Sequence, residues 1–295
     1  MVTCPNCGEE NPAKFRHCWS CATPLSFEQA AAPLQVRKMV TIVFTDLKDS
    51  TALGERLDSE ALHEVKERYF SAMATEIRRH GGKIEKYIGD AIMAVFGLPR
   101  AHEDDALRAV RAAISMRIAL ERLNVDLKAR YGFTIASRTG VNTGDVVAND
   151  DPGANQQLTT GDPVNVAARL EGLTKLYGVR VVAGDDTRTA AGEAFAWRFL
   201  DRVAVKGRPA PLNVWQVVER AERIDDEMRE RLGRYEEGVD LYRSRRFDEA
   251  EKRFAELAQE APDDGPVALY LERSRLALVQ PPPADWDGVH VAQIK

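Results

Sequence analysis

Two apolar runs decide the fold: Val40-Thr41-Ile42-Val43-Phe44-Thr45-Asp46-Leu47-Lys48-Asp49-Ser50-Thr51, and Lys83-Ile84-Glu85-Lys86-Tyr87-Ile88-Gly89-Asp90-Ala91-Ile92-Met93-Ala94-Val95-Phe96-Gly97. Each has the β-branched, apolar character of a buried strand, and each delivers one aspartate to a turn. The second run divides at Gly89-Asp90 into strands Lys83–Ile88 and Ala91–Phe96, a hairpin with an acid at its tip. A turn aspartate is ordinarily only a turn residue. The apolar flanks raise its standing, because they place the hairpin centrally in a sheet, and Lys86 is then a cation inside a strand that reads as buried. Two carboxylates carried to strand ends, Asp46 and Asp90, suggest a site for a divalent metal.

Between the two runs, Ser59–His80 reads as a helix, with Leu62, Val65, Tyr69, Phe70, Met73 and Ile77 at helical spacing and Gly81-Gly82 as its stop. Asp49-Ser50-Thr51 offers N-cap side chains for a helix starting near Ala52. The amides there either hold phosphate oxygens or simply cap the helix. Downstream, His102-Glu103-Asp104-Asp105 opens a helix carrying Leu107, Val110, Ile114 and Ile118, with the acids as capping charges and His102 as a surface turn residue. Phe133–Thr143 reads as a strand and residues 149 to 157 as a polar loop. Leu158-Thr159-Thr160-Gly161-Asp162-Pro163 then leads into a helix with Pro163 in its first turn. Asn165 and Arg169, four apart, share one face of that helix, either as an ordinary solvated face or as an amide and a cation presented together. Val179–Ala183, Arg198–Val205 and Leu212–Val218 read as strands, with a basic turn at Val205-Lys206-Gly207-Arg208. The order gives an α+β domain with helices on one face of a mostly antiparallel sheet, close to a ferredoxin-like βαββαβ plan, over residues 37–219.

All four cysteines lie ahead of this domain, so its body holds no disulfide. Cys4-Pro5-Asn6-Cys7 and Cys18-Trp19-Ser20-Cys21 are paired C-x-x-C motifs across a short polar turn, which suits four thiolates around one structural zinc ion in a ribbon of residues 1–26. So short a segment cannot bury an adequate core, and metal binding supplies its folding energy. The alternative, a pair of redox dithiols, lacks the neighbouring βαβ pattern. Residues 27–36 read as a linker.

Beyond the domain, residues 220–280 are charged and helical. Tyr235, Gly238, Leu241, Tyr242, Phe247, Ala250, Phe254, Leu257 and Ala258 follow the spacing of one tetratricopeptide-like helix pair, and a further helix carries Leu269, Leu271, Leu276 and Leu278. One repeat cannot cover its own apolar face, so this unit packs on the main domain or on a protein partner. Residues 281–295 form an extended tail that docks by Trp286. A net charge of −5 argues against nonspecific binding to nucleic acid. No apolar run has the length of a membrane span and the N-terminus lacks a secretory core, so the expected location is cytoplasmic.

Four motifs, Phe44-Thr45-Asp46-Leu47, Lys86-Tyr87-Ile88-Gly89-Asp90, Gly161-Asp162-Pro163-Val164-Asn165-Val166-Ala167-Ala168-Arg169 and Val205-Lys206-Gly207, together resemble the catalytic domain of class III nucleotidyl cyclases. The resemblance implies an adenylate cyclase that turns ATP into 3′,5′-cyclic AMP and pyrophosphate. It implies that Asp46, Asp90 and the Leu47 carbonyl hold two Mg²⁺ or Mn²⁺ ions. Lys86 would contact the purine, Asn165 the ribose, Arg169 the α-phosphoryl group and Lys206 the terminal phosphates. It further implies a homodimer, with Asp46 and Asp90 from one chain facing Lys86, Asn165, Arg169 and Lys206 of its mate. One position departs from the family: Leu158 stands where a polar purine partner is usual, with Thr159 and Thr160 as the neighbouring hydroxyls. Lys86 favours ATP over GTP. The competing readings are a guanylate cyclase, a nucleotide-binding module without turnover, and a scaffold that binds partners through the ribbon and the helical tail.

Overall fold

The computed structural model describes residues 1–12, 14–25, 35–48, 50–149, 158–204 and 210–291, with backbone alone at 35, 50–52, 149, 158–160 and 291. The N-terminal segment forms a two-stranded ribbon, β1 (Val2–Thr3) against β2 (Glu10–Asn11). The main body follows as β3 (Gln35–Leu47), α1 (Ser50–Arg56), α2 (Ser59–Arg79), β4 (Lys83–Ile88), β5 (Ala91–Phe96), α3 (Asp105–Tyr131), β6 (Ser137–Asn149), β7 (Leu158–Thr160), α4 (Asp162–Tyr177), β8 (Val181–Gly184), α5 (Asp185–Ala191), β9 (Phe195–Ala204) and β10 (Leu212–Arg220). Three helices come next, α6 (Asp226–Arg243), α7 (Phe247–Glu260) and α8 (Gly265–Val279), and a short terminal strand, β11 (His290–Val291).

The nine-stranded sheet runs β11-β9-β10-β8-β6-β3-β5-β4, with β7 alongside β6. Its pairs are antiparallel except β6–β8 and β11–β9, so the α+β, mostly antiparallel expectation holds. The strands Lys83–Ile88 and Ala91–Phe96 fall where the alternation placed them. Their position differs: β4 lies at the sheet's edge rather than centrally, and Lys86, Tyr87 and Ile88 are exposed. A β-bulge between Ile84 and Lys86 shifts the register and turns Glu85 inward while Lys86 faces out.

Helices cover both faces of the sheet, not one. Alternate residues of β3 divide between them: Val43 and Leu47 join the core formed with α2 and α3, whereas Val40 and Ile42 pack with Ala167 of α4. Glycine makes the second layer possible. A Cβ on Gly140 of β6 would stand 2.1 Å from the Ala167 carbonyl and 2.4 Å from the Glu171 amide, and one on Gly144 would stand 2.7 Å from the Pro163 ring. The backbone of α4 therefore lies directly on β6, closer than any side chain allows.

Several boundaries differ from the sequence reading. α1 begins at Ser50, so Ser50 and Thr51 lie in its first turn instead of capping it. α3 begins at Asp105, and Asp104 at its N-cap makes no side-chain cap bond because its carboxylate pairs with Arg108 at 3.0 Å. β6 starts at Ser137 and runs to Asn149, while Phe133 and Ile135 are buried anchors ahead of it. The C-terminal helices bury Tyr235, Phe254, Leu257 and Tyr270 against Phe199 of β9, with Trp215 of β10 partly buried at the contact, so the main sheet supplies the surface they need.

Candidate active site

β3 and β5 run antiparallel with Asp46 opposite Ala91, so Asp90 in the preceding turn reaches the same end of the sheet as Asp46. Both carboxyls are partly out of water. Burial pushes the Asp46 carboxyl above its ordinary range, the Leu47 amide draws it back, the Asp90 charge raises it further and Arg138 lowers it. Arg138 is the β6 residue paired with Asp46. From the other side, Lys66 of α2 holds Asp90, Nζ to Oδ1 at 2.7 Å.

A third acid joins them. The close seating of α4 on Gly140 brings Glu171 over this end of β6. Burial, and then the charge of Asp46, lift its carboxyl to about 7, against the opposing pull of Arg138. Among the described residues, Asp46, Asp90 and Glu171 thus stand with Arg138 and Lys66 at this end of the sheet. Carboxylates with a backbone carbonyl nearby form a hard donor set suited to Mg²⁺ or Mn²⁺, and a divalent cation would relieve the repulsion between Asp46 and Asp90.

The other expected site residues stand apart from this pair. Lys86 is exposed on the edge strand β4, Asn165 is exposed on α4, and Arg169 is half-buried one turn along the same helix. Among the described residues, no hydrogen bond or ion pair links any of the three to Asp46 or Asp90. The backbone of Ser50 and Thr51 lies in α1, and that of Leu158 and Thr160 in β7, where Thr160 pairs with Val147. Asp49 and Lys206 lie outside the described residues.

Lys66, Arg138 and Glu171 are the site neighbours that sequence reasoning missed. Lys66 lies on a helix face that reads as solvated. Arg138 is a cation in a strand that carries mostly small and uncharged residues, with Ser137 and Thr139 on either side.

The N-terminal cysteines form a second candidate site. Their sulfurs all lie within 4.8 Å of one another, with Cys4 to Cys21 at 3.6 Å and Cys7 to Cys18 at 3.5 Å. Thiolates about 2.3 Å from a tetrahedral zinc would be about 3.8 Å apart, so the cluster has the size of such a site. Each C-x-x-C turn closes the same way: the Gly8 amide donates to the Cys4 carbonyl at 3.0 Å, and the Ala22 amide to the Cys18 carbonyl at 2.9 Å. Gly8 and Ala22 are both left-handed, with φ of 73° and 58°. Buried Asn11 braces the cluster through Cys18 Sγ and the Trp19 amide.

The family model described as the adenylate and guanylate cyclase catalytic domain matches residues 33–219. The chain belongs to this family. A second model, a domain of unknown function (DUF7577), matches residues 2–26. The chain is 32% identical over 270 residues to the "Adenylate cyclase, terminal-differentiation specific" of Dictyostelium discoideum, a match covering 85% of this chain and 12% of that protein. Among solved structures, the adenylyl cyclase CyaB from P. aeruginosa is 30% identical with a TM-score of 0.57, covering 65% of this chain and 100% of that one. The guanylyl cyclase Cya2 is also 30% identical, with a TM-score of 0.56, covering 64% of this chain and 96% of that one. The chain spans between 12% and 40% of the length of three curated adenylate cyclase relatives. Among the described residues, no helix is long and apolar enough to cross a membrane.

Proposed function

We propose that the protein is an adenylate cyclase that makes 3′,5′-cyclic AMP and pyrophosphate from ATP, acting as a homodimer with sites between the chains. The observation that carries this reading is the half-built site: Asp46 and Asp90 concentrate negative charge at one end of the sheet, while Lys86, Asn165 and Arg169 belong to other surfaces. A second copy would bring those groups opposite the acids. Tyr87 and Ile88, large apolar side chains about half exposed beside Lys86, support a partner surface there.

In this reading Asp46, Asp90 and the Leu47 carbonyl would hold two divalent cations, which would supply acidification of the ribose 3′-hydroxyl and charge neutralisation on the pyrophosphate. The chain's own groups do the rest. Asn165 orients the ribose so that the 3′-oxygen faces the α-phosphorus. Arg169 stabilises the charge that develops on the α-phosphoryl oxygens. Lys206 and Arg138 bind the outer phosphates, and Lys86 contacts the purine. Thr160, Asp49, and Ser50 and Thr51 at the start of α1 are assigned to substrate binding.

Leu158 favours a second reading, a guanylate cyclase or a nucleotide-binding module without turnover, because leucine accepts no hydrogen bond from an adenine amino group. Purified protein assayed with Mn²⁺ and either ATP or GTP, over a range of protein concentrations, separates these. The expected result is cyclic AMP, formed at a rate per chain that rises with concentration as dimers form. Cyclic GMP alone would reassign the purine, and binding without product would reassign the protein to the regulatory class.

The cysteine cluster is read as a structural zinc ribbon. The C-terminal helices are read as a tetratricopeptide-like unit and the site of a protein partner. Both regulate rather than catalyse, and removal of residues 1–30 should leave basal activity in place.

A further inference from the structure

The lysine that meets Asp90 is placed there by the packing of α2 on the hairpin. Phe70 of α2 packs edge-on against Tyr87 of β4, with ring centroids 5.4 Å apart. One helical turn earlier on the same face, Lys66 Nζ stands 2.7 Å from Asp90 Oδ1. The neighbouring Val65 and Tyr69 are fully buried in the core shared with α3, so the helix cannot roll the lysine away from the hairpin tip.

Different cations therefore act on the two acids. Arg138 lies opposite Asp46 in the β3–β6 pairing and draws on Asp46 and Glu171, while Lys66 holds Asp90. With side chains 30% and 25% exposed, the Lys66–Asp90 pair adds little to folding. Its effect on a bound cation is larger. An ion held about 2.1 Å from either Asp90 oxygen would lie within about 7 Å of the Lys66 ammonium. At that distance the repulsion between a single and a double positive charge weakens binding by about tenfold even with the screening of bulk water, and by more where water is partly excluded. Lys66 also occupies Oδ1 itself, which an ion using that oxygen must share.

The geometry points to Lys66 as an internal counter-cation that competes with divalent metal for Asp90 and keeps the acid pair from filling with free metal. This rests on the reading of Asp46 and Asp90 as metal ligands. A triphosphate brings negative charge of its own, which offsets the repulsion between the lysine and the incoming ion and gives the flexible ammonium a second partner. Lys66 thus favours loading of the metal–nucleotide complex over loading of the bare ion.

The test is a calorimetric titration of the full chain with Mn²⁺, counting only binding that Asp90→Ala abolishes. Lys66→Met, and Lys66→Gln as a second neutral variant, should bind Mn²⁺ about five- to fiftyfold more tightly than wild type. Lys66→Arg keeps the charge and should bind as wild type does. With 3′-deoxy-ATP present, which lacks the attacking hydroxyl, the advantage of the neutral variants should shrink. Unchanged or weaker Mn²⁺ binding in both neutral variants would make Lys66 a tether that merely orients Asp90, and would overturn the inference while leaving the metal reading in place. Equal tightening in Lys66→Arg, or an advantage undiminished by nucleotide, would overturn it too. If neither wild type nor the neutral variants bind Mn²⁺ through Asp90, the metal reading itself fails and the inference fails with it.

Discussion

Asp46 and Asp201 are both aspartates on strands of one sheet, both withdrawn from water, and they are surrounded in opposite ways. Asp201, only 3% exposed, accepts the Tyr177 hydroxyl at 2.9 Å, the Arg273 guanidinium at 2.7 Å and the Arg202 amide at 2.9 Å. Its donors come from α4, α8 and β9 itself, and its charge is answered within the chain. Asp46 meets a second acid, Asp90, and its own charge in turn raises a third, Glu171 of α4, while Arg138 draws on both Asp46 and Glu171 and Lys66 pairs with Asp90. A satisfied buried acid ties elements together. A half-buried acid crowded by like charge is destabilising unless something else binds, and that marks a site.

The comparison breaks most directly at the acids themselves. Asp90→Ala should lower turnover by about 10³-fold or more, because a cation lost from a phosphoryl-transfer site forfeits several kcal/mol of transition-state stabilisation. Its resistance to urea should be unchanged or improved, since one member of a repelling pair is gone. Asp201→Ala should do the reverse. It leaves Arg273, largely withdrawn from water, without its counter-charge and should cost about 3 kcal/mol in a denaturant titration. If both substitutions destabilised alike, the distinction between the two clusters would collapse.

Gly140→Ala tests how α4 brings Glu171 to the site. A methyl group 2.1 Å from the Ala167 carbonyl and 2.4 Å from the Glu171 amide must push the helix off β6, at an expected cost of about 1–3 kcal/mol. The smallest effect concerns Glu171 alone. Its carboxyl is raised in the folded state, so its contribution to stability is complete below the usual glutamate range and is lost as pH rises from about 4.5 to about 7. Glu171→Gln removes that loss. In the absence of divalent metal, the melting temperature of the variant should exceed that of wild type above pH 7, and the gap should close near pH 4.5. A gap independent of pH would show that Glu171 acts by packing rather than charge.

The hairpin that defines the site was legible because strand alternation and the Gly89-Asp90 turn are local signals, and Asp46 and Asp90 stood out as charges ending apolar runs. The edge position of β4 was not legible: its apolar residues read the same whether they face a core or a partner surface, and Tyr87 and Ile88 are exposed. Glu171 was hidden for a different reason. Only the glycine at position 140, on another element, brings that helix position close enough to matter. The tail strand β11 is two residues long and carries no periodicity; only Trp286 announced that the tail docks.

The central claim is that Asp46 and Asp90 await a divalent cation, and thermal unfolding with and without Mn²⁺ tests it most directly. Saturating Mn²⁺ at about 100 times its dissociation constant should stabilise the wild-type protein by about 2.7 kcal/mol, a shift of several degrees. In Asp46→Asn and Asp90→Ala that shift should vanish while the cysteine cluster is left intact. An equal shift in all three proteins, or none in the wild type, would contradict the account.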